Sequence, residues 1–285
     1  MPLVFPVPTL DHVVVNARDR IDDAAHTFRR LGFTLTPRGY HTLGSINHLA
    51  MFGTDYLELI AVPSGGDSRP EVMSAPIGLN ALVFGTENAA ATHEALLRNG
   101  VRIEPPQQFS RPVEIAGAPD GGSRDAAFRT TRLPGDSTLA GRLYFCQHLT
   151  RDLVWRDEWR HHANGAVGIA RAVIAAEEPG LLGSLFARMF GGDAVRPTDD
   201  GCALILGLSR FDVVTPTALW EMFGGAAPDS RGRRDYMAAL TIRTLSLDAV
   251  ETALEAGGIR GWDRIGTSVL VPAQEAFGVT IEFSV

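Results

Sequence analysis

One structural unit recurs four times along the chain, and this repeat limits the possible folds more than any other feature. In the first copy, residues 10–62, an apolar strand precedes an amphipathic helix and then three strands that are separated by turn residues. The same order begins again near residues 80, 168 and 237. Because several short strands follow each helix, and not one, the pattern argues against a Rossmann or (β/α) barrel fold.

The glycines that end the helices indicate that the units are paired. They are Gly32, Gly100, Gly191 and Gly257, so the first and third are 159 residues apart and the second and fourth are 157 apart. The matched intervals indicate a duplicated pair of units, and coincidence between helices of an ordinary α/β protein is the alternative. We therefore predict an α+β fold of four βαβββ units in tandem. The pairs would occupy residues 1–149 and 166–285, with a linker at 150–165 where the strand pattern breaks.

The composition excludes several classes of protein. All 26 basic residues are arginine, which removes Schiff-base and pyridoxal-phosphate enzymes, Walker A phosphate loops and protein kinases. The net charge of −7 and the absence of a basic block predict that nucleic acid is not a partner. The sequence has no long apolar run, no signal-peptide pattern at its start and only two cysteines. We therefore expect no membrane contact and a cytoplasmic location.

Several short stretches resemble one known group of proteins, the glyoxalase-like domains of the vicinal-oxygen-chelate superfamily. This superfamily includes glyoxalase I, extradiol dioxygenases and bleomycin- or fosfomycin-resistance proteins. The resemblance covers the first 166 residues well and the remainder only through the order of the units. It implies that each pair of units curls into a half-open barrel around a divalent metal ion: Zn, Fe, Mn, Ni or Co. The matching stretches are LDHVVVN, GFTLTPRG, GSINHLAMFG, YLELI, FCQHLT and HHANGA.

The resemblance also implies a set of metal ligands, which come from the first and last strands of the units. His12 and Glu58 stand at these positions in the first unit. In the second unit the first-strand position holds Asn80, a poor ligand, and the last strand offers His148. His12, Glu58 and His148 would form a two-histidine, one-carboxylate site with open positions for substrate. Glu58 and His148 are also the candidate catalytic groups.

Each predicted ligand has an alternative role. His12 can be a hydrogen-bonded core histidine, and His148 can lie exposed at a strand end. A buried Glu58 is unfavourable by several kcal/mol unless it has a metal, an arginine or its own proton. If His148 does not join the site, only two ligands remain and a metal-free binding pocket is favoured. The second pair of units offers only Glu282, which aligns with Glu58, so we expect a structural or lid-forming copy there.

Further residues are candidates for substrate contact. Asn47 and His48 face opposite sides of one strand, so one of them should point inward. Arg111 and Arg129 lie on middle strands of the second unit and suit a carboxylate or phosphate, unless they belong to a solvated sheet edge. The linker supplies two more candidates, which either wall the pocket or pack between the two halves: Trp155 and His162.

These observations predict a metal-dependent lyase, isomerase or related, dioxygenase-like enzyme. Its substrate would be a small oxygenated molecule that chelates the metal. The alternative is a metal-free protein of the same fold that binds a small molecule or confers resistance. Both a monomer and a homodimer are compatible with the sequence.

Overall fold

The computed structural model describes residues 9–66, 68–115 and 122–285, and its elements follow the repeated order. The first unit contains β1 (Leu10–Asn16), α1 (Ile21–Arg30), β2 (Gly39–Tyr40), β3 (Ile46–Met51) and β4 (Tyr56–Ala61). A short helix, α2 (Pro70–Ser74), leads to the second unit. That unit contains β5 (Gly78–Gly85), α3 (Ala89–Arg98), β6 (Gln107–Glu114), β7 (Ser123–Arg132) and β8 (Arg142–His148).

The second half of the chain repeats this plan. The third unit contains β9 (Ala166–Ala175), α4 (Pro179–Phe190), β10 (Val195–Thr198), β11 (Gly201–Leu206) and β12 (Ser209–Val214). It is followed by helix α5 (Pro216–Phe223). The fourth unit contains β13 (Tyr236–Thr244), α6 (Leu247–Ala256), β14 (Asp263–Ile265), β15 (Ser268–Val271) and β16 (Thr280–Ser284).

The strands form two eight-stranded mixed sheets with the same topology. The first has the order β2-β3-β4-β1-β5-β8-β7-β6, and the second has the order β10-β11-β12-β9-β13-β16-β15-β14. In each sheet the first strands of the two units are antiparallel neighbours, and each is parallel to the last strand of its own unit. The predicted α+β fold of four units forming two half-open barrels is therefore confirmed. We call the concave sides of the two sheets the first cup and the second cup.

The first sheet comes close to closing on itself. Its edge strands β2 and β6 approach each other, and Thr42 N donates a hydrogen bond of 2.9 Å to the carbonyl of Ser110. The sequence predicts a long strand before β3, but only Gly39 and Tyr40 pair there. The strands β10 and β14 complete the third and fourth units, but the sequence does not locate them. Residues of β14 are exposed and β10 buries none of its residues, so neither shows apolar alternation.

The two sheets share one hydrophobic core on their convex sides. It includes buried residues from both halves of the chain, and aromatic rings meet across the boundary. Phe33 stacks on Phe283 with ring centroids 5.9 Å apart, and Phe84 contacts Phe190 edge-on at 4.7 Å. Each cup has a separate apolar cluster of its own. The common core fixes the halves against each other and leaves the cups on opposite sides.

Glycine permits the close contact between helices α1 and α6. A Cβ on Gly257 would collide with the backbone of Arg30, whose guanidinium donates bonds of 2.7 Å to the carbonyls of Gly257 and Gly258. The left-handed residue at this helix end is Gly258, with φ of 64°, and Gly257 itself remains right-handed with φ of −76°. The fourth helix-ending glycine therefore serves packing rather than chain reversal.

Buried polar groups also connect the halves. Asp55 accepts a hydrogen bond of 2.9 Å from the backbone N–H of Ile169, beside a register shift between β9 and β13. Burial raises the pKa of Asp55 to about 6, although this bond opposes the shift. Asn164 is fully buried and bridges the carbonyl of Leu31 and the N–H of Ala166. Within the described residues, no helix is long and apolar enough to cross a membrane.

Candidate functional site in the first cup

The first cup contains a cavity of about 520 Å³, a volume typical of small-molecule sites. One part of its wall is apolar and includes Leu49, Ile60, Phe109 and Phe128. The remainder carries a concentrated set of polar groups. These are His12, His41, Ser45, Asn47, Tyr56, Glu58, Arg69, Asn80, Arg111, Thr130, Arg132, Arg142 and Tyr144, with Glu71, Glu104 and Thr138 nearer the rim.

The second cup is filled by its own chain. Helix α5 inserts Ala218 and Leu219, which are 3% and 1% exposed, into the apolar cluster of the second sheet. The aligned carboxylate Glu282 accepts a hydrogen bond of 2.7 Å from the Thr241 hydroxyl. Among the described residues, the cavity in the first cup is therefore the stronger candidate for a functional site.

His12 on β1 is held by a carboxylate behind it. Its Nδ1 lies 2.6 Å from Oδ1 of Asp11, and its ring stacks on Tyr56 at 4.3 Å. A carboxylate can only accept, so Nδ1 carries a proton and, in the neutral ring, the lone pair is on Nε2. Nε2 faces the Glu58 carboxylate at 3.6 Å and the Tyr144 hydroxyl at 3.4 Å. Burial opposes ionisation of Asp11, but its interactions with His148 and His12 hold its pKa well below the usual range.

Glu58 on β4 is fixed from the neighbouring strand. Its Oε1 accepts a hydrogen bond of 2.6 Å from the amide of Asn47, which also lies 3.3 Å from Nε2 of His41. The negative carboxylate settles the amide orientation, because a reversed Asn47 would place oxygen against oxygen. Burial lowers the pKa of His41 to about 4, so this ring is neutral at pH 7 and accepts from Asn47. Glu58 Oε2 remains directed towards His12.

His12 and Glu58 fit two coordination positions of a divalent ion. Their donor atoms are separated by 3.6 Å and both residues line the cavity, and the carboxylate behind His12 is the support that metal-bound histidines normally have. The structure does not bring His148 to the same place. Its Nε2 lies 3.1 Å from Asp11, its ring contacts Trp155, and it is not among the residues that line the cavity.

A second group of possible metal ligands lies beside the cavity, and one of its members, Cys146, lines it. Within the described part of the chain, one cluster of three such side chains has all its donor atoms within 4.8 Å: Asp11, Cys146 and His148. Asp11 already accepts hydrogen bonds from both His12 and His148. Burial raises the pKa of Cys146 well above its usual value, which favours the neutral thiol over the thiolate that binds metals.

The arginines of the second unit divide between the two faces of the sheet. Arg111 lines the cavity and is 6% exposed, and its Nε has no hydrogen-bond partner among the described residues. Arg142 lies at the start of β8. Its Nε donates a hydrogen bond of 3.2 Å to Oδ1 of Asn80, and its Nη2 has no partner among the described residues. Arg129 does not line the cavity and instead binds Gln108 on the outer face at 2.9 Å, because Phe128 and Arg132 take the inward positions.

The structure decides between the two candidates on β3. Asn47 lines the cavity, whereas His48 faces the opposite side and places its Nδ1 2.7 Å from the carbonyl of Thr36.

The two linker residues lie outside the cavity lining. His162 accepts from Thr34 N at 3.0 Å and donates to the Met51 carbonyl at 2.8 Å, so it ties the linker to the first unit. Trp155 packs against Tyr56 and His148 and lies under the guanidinium of Arg151.

Several polar groups of the site were missed in the sequence, among them Arg142 and His41. Strand parity could have found Arg142, because it shares a face with Tyr144 and Cys146. His41 gave no signal, since it follows a strand of only two residues. It nevertheless contacts Phe109 edge-on at 5.4 Å and forms part of the wall.

Comparison with known proteins yields one family and a set of distant structural neighbours. The family model described as a glyoxalase-like domain matches residues 10–190. No curated protein matches the chain. Similar solved structures include a hypothetical protein from Staphylococcus aureus, with 14% identity, a TM-score of 0.67 and coverage of 98% of this chain and 99% of that one.

Two further neighbours are enzymes. A mutant of 4-hydroxymandelate synthase from Streptomyces coelicolor has 13% identity and a TM-score of 0.57, with 98% and 92% of the two chains covered. A variant of homoprotocatechuate 2,3-dioxygenase from B. fuscum has 14% identity and a TM-score of 0.53, with 100% and 74% covered. At these identities the likeness establishes the fold alone.

Proposed function

Since the chain belongs to the family of glyoxalase-like domain proteins, we propose that its first cup is an active site for a small oxygenated molecule. The family and the vicinal-oxygen-chelate fold support a related enzyme or a binding protein. Within that range we favour a metal-dependent lyase or isomerase. One observation carries this choice: Nε2 of His12 and Oε2 of Glu58 approach to 3.6 Å on the wall of a 520 Å³ cavity.

His12 and Glu58 would hold one divalent ion, with its remaining positions open to substrate oxygens. A bound ion of this kind acts as a Lewis acid on the oxygens that chelate it. Asp11 keeps the proton on Nδ1 of His12 and thereby keeps Nε2 available. Asn47 holds Oε1 of Glu58, so Oε2 is the atom free to ligate or to accept a proton from substrate.

Tyr144 supplies a proton donor beside this pair. Burial, with the nearby Glu58, raises the pKa of its hydroxyl, so the group stays protonated at neutral pH. The hydroxyl lies 3.4 Å from Nε2 of His12 and can donate to an oxygen that gains negative charge. His148 contacts Asp11 at 3.1 Å, and we assign it the positioning of that carboxylate and not direct coordination.

Metal loading of purified protein tests this assignment. We expect one divalent ion per chain by elemental analysis after chelation and reloading, with a higher melting temperature on adding the ion. His12→Ala and Glu58→Gln should each lower the ion affinity by about tenfold or more. His148→Ala should lower it less, and His161→Ala, at an exposed linker position, should leave it unchanged.

Two results would overturn the proposal. One is a wild-type protein that takes up no ion and whose melting temperature does not respond to metal. The other is loss of the ion in Cys146→Ala and His148→Ala while Glu58→Gln retains it. That pattern would place the ion among Asp11, Cys146 and His148 and not between His12 and Glu58.

A metal-free binding protein is the second candidate. It is favoured by the buried cavity arginines that have nitrogens without partners among the described residues. The two candidates differ in a simple way, because a binding protein would retain its ligand after chelation of all divalent ions.

A further inference from the structure

The cavity wall includes a buried cation, one nitrogen of which lacks a partner in the described part of the chain. Arg111 is 6% exposed, yet its Nε has no acceptor among the described residues. Burial lowers its pKa, and the charge of Glu58 opposes that shift. A guanidinium remains charged in proteins, so this burial is unfavourable unless something compensates it. The wall therefore holds a charge that an anion would stabilise.

The surroundings of Arg111 indicate that its position is built into the fold. It belongs to β6, where it pairs with Ala126 of β7, and it projects towards Gly39 of β2. A Cβ on Gly39 would lie 3.0 Å from Cδ and from Nη1 of Arg111 and would collide with Oδ1 of Asn47. The absence of a side chain at Gly39 thus creates the space that the guanidinium occupies.

The rest of the cavity limits what kind of anion would fit. Phe109 and Phe128 stack at 5.4 Å and form an aromatic wall, and His41 contacts both rings edge-on. His41 is neutral at pH 7 and adds no charge. Four arginines and three glutamates line the cavity, so its charges favour a single negative charge on the ligand.

We propose that the cavity binds a monocarboxylate with an apolar body, and that Arg111 recognises the carboxylate. The apolar body of the ligand would lie against the aromatic wall that Phe109 and Phe128 form. A planar carboxylate matches the fork of a guanidinium, and its negative charge would compensate the buried positive charge of Arg111, which lines the cavity. This inference names the ligand class of the site proposed above and rests on that proposal only for the location.

Binding to chelator-treated protein tests this inference separately from the metal. The probes are phenylacetate and hexanoate, with phenylacetamide and hexanamide as neutral controls of similar shape, and dissociation constants are measured by ligand-observed NMR. We expect each carboxylate to bind about tenfold or more tightly than its amide, as charged hydrogen bonds imply. Arg111→Met should abolish this preference.

A matched variant and a second readout complete the test. Arg129→Met removes an arginine from the outer face of the adjacent strand and should leave the preference intact. Arg111→Met should also raise the melting temperature of the ligand-free protein, because it removes a buried charge while retaining an unbranched side chain. A purely structural Arg111 would give a lower melting temperature.

Three outcomes would overturn the inference. They are no binding of either carboxylate, equal binding of acids and amides by the wild type, and retention of the preference by Arg111→Met. Loss of metal uptake with an intact carboxylate preference would refute only the proposed metal centre. Normal metal uptake without any preference for carboxylates would refute only the proposed role of Arg111.

Discussion

The buried carboxylate of Asp55 gives the protein a stability that depends on pH in an unusual direction. Asp55 is 3% exposed, and burial raises its pKa from 3.8 to about 6. Between pH 3.8 and about pH 6, the carboxyl group is mostly ionised in the unfolded chain but still mostly protonated in the folded protein. The contribution of this group to the free energy of unfolding therefore decreases as the pH rises. Above about pH 6 the decrease is almost complete.

Asp55→Asn should remove this dependence. The amide oxygen can still accept from the N–H of Ile169, whereas the charge is gone. The shift from 3.8 to about 6 corresponds to about 3 kcal/mol in total. Between about pH 4.5 and about pH 7.5, the variant should gain about 2 kcal/mol of unfolding free energy relative to the wild type.

Urea unfolding followed by tryptophan fluorescence at several pH values measures this difference. All other titrating groups are common to both proteins, so their contributions cancel in the comparison. Asp193→Asn, at an exposed position, should show a profile parallel to that of the wild type. If the difference between Asp55→Asn and the wild type stays constant within about 0.5 kcal/mol over the range, burial does not control this carboxyl and the reasoning is refuted.

Three further predictions follow from other buried groups. The ring of His41 should titrate near pH 4 by NMR, because burial disfavours its charged form, and a midpoint above about pH 6 would contradict this. Asn164→Ala should lower the free energy of unfolding by about 2 kcal/mol or more, since it leaves a buried carbonyl and a buried N–H unpaired, while His161→Ala should change it by less than about 0.5. Gly39→Ala should destabilise the protein by about 1–3 kcal/mol and weaken carboxylate binding, because its Cβ would displace a guanidinium; unchanged binding would show that the space is not needed.

Apolar periodicity was enough to predict the four repeated units, whereas their curling into half-open barrels was implied by the resemblance. The four units were recognisable because a helix stripe such as Ile21, Ala24, Ala25 and Phe28 is buried in the shared core and had to be apolar. The sequence did not locate the exposed edge strands β10 and β14 and gave no sign of helix α5. Helix α5 has eight residues, too few for a clear period, and its role depends on a cavity that only the folded sheet creates.

The candidate site was predictable in part. His12, Glu58, Asn47 and Arg111 all line the cavity. The resemblance indicated the strand positions of His12 and Glu58, whereas strand parity left the choice between Asn47 and His48 open. Strand parity did not predict where a side chain at the end of a strand points. His148 shares a face with Cys146, yet at the strand end the Nε2 of His148 forms a hydrogen bond with the carboxylate of Asp11. Hydrogen-bond competition of this kind has no signature in a single sequence.

Helix α5 fills the second cup with side chains of the protein itself, which occupy it permanently. Ala218 and Leu219 are covalently tethered to the end of β12, so their effective concentration inside that cup far exceeds what a free metabolite reaches. The apolar cluster of the second cup is thereby filled without a small molecule. Through the shared core, this second half supports the sheet of the first cup without needing a ligand of its own.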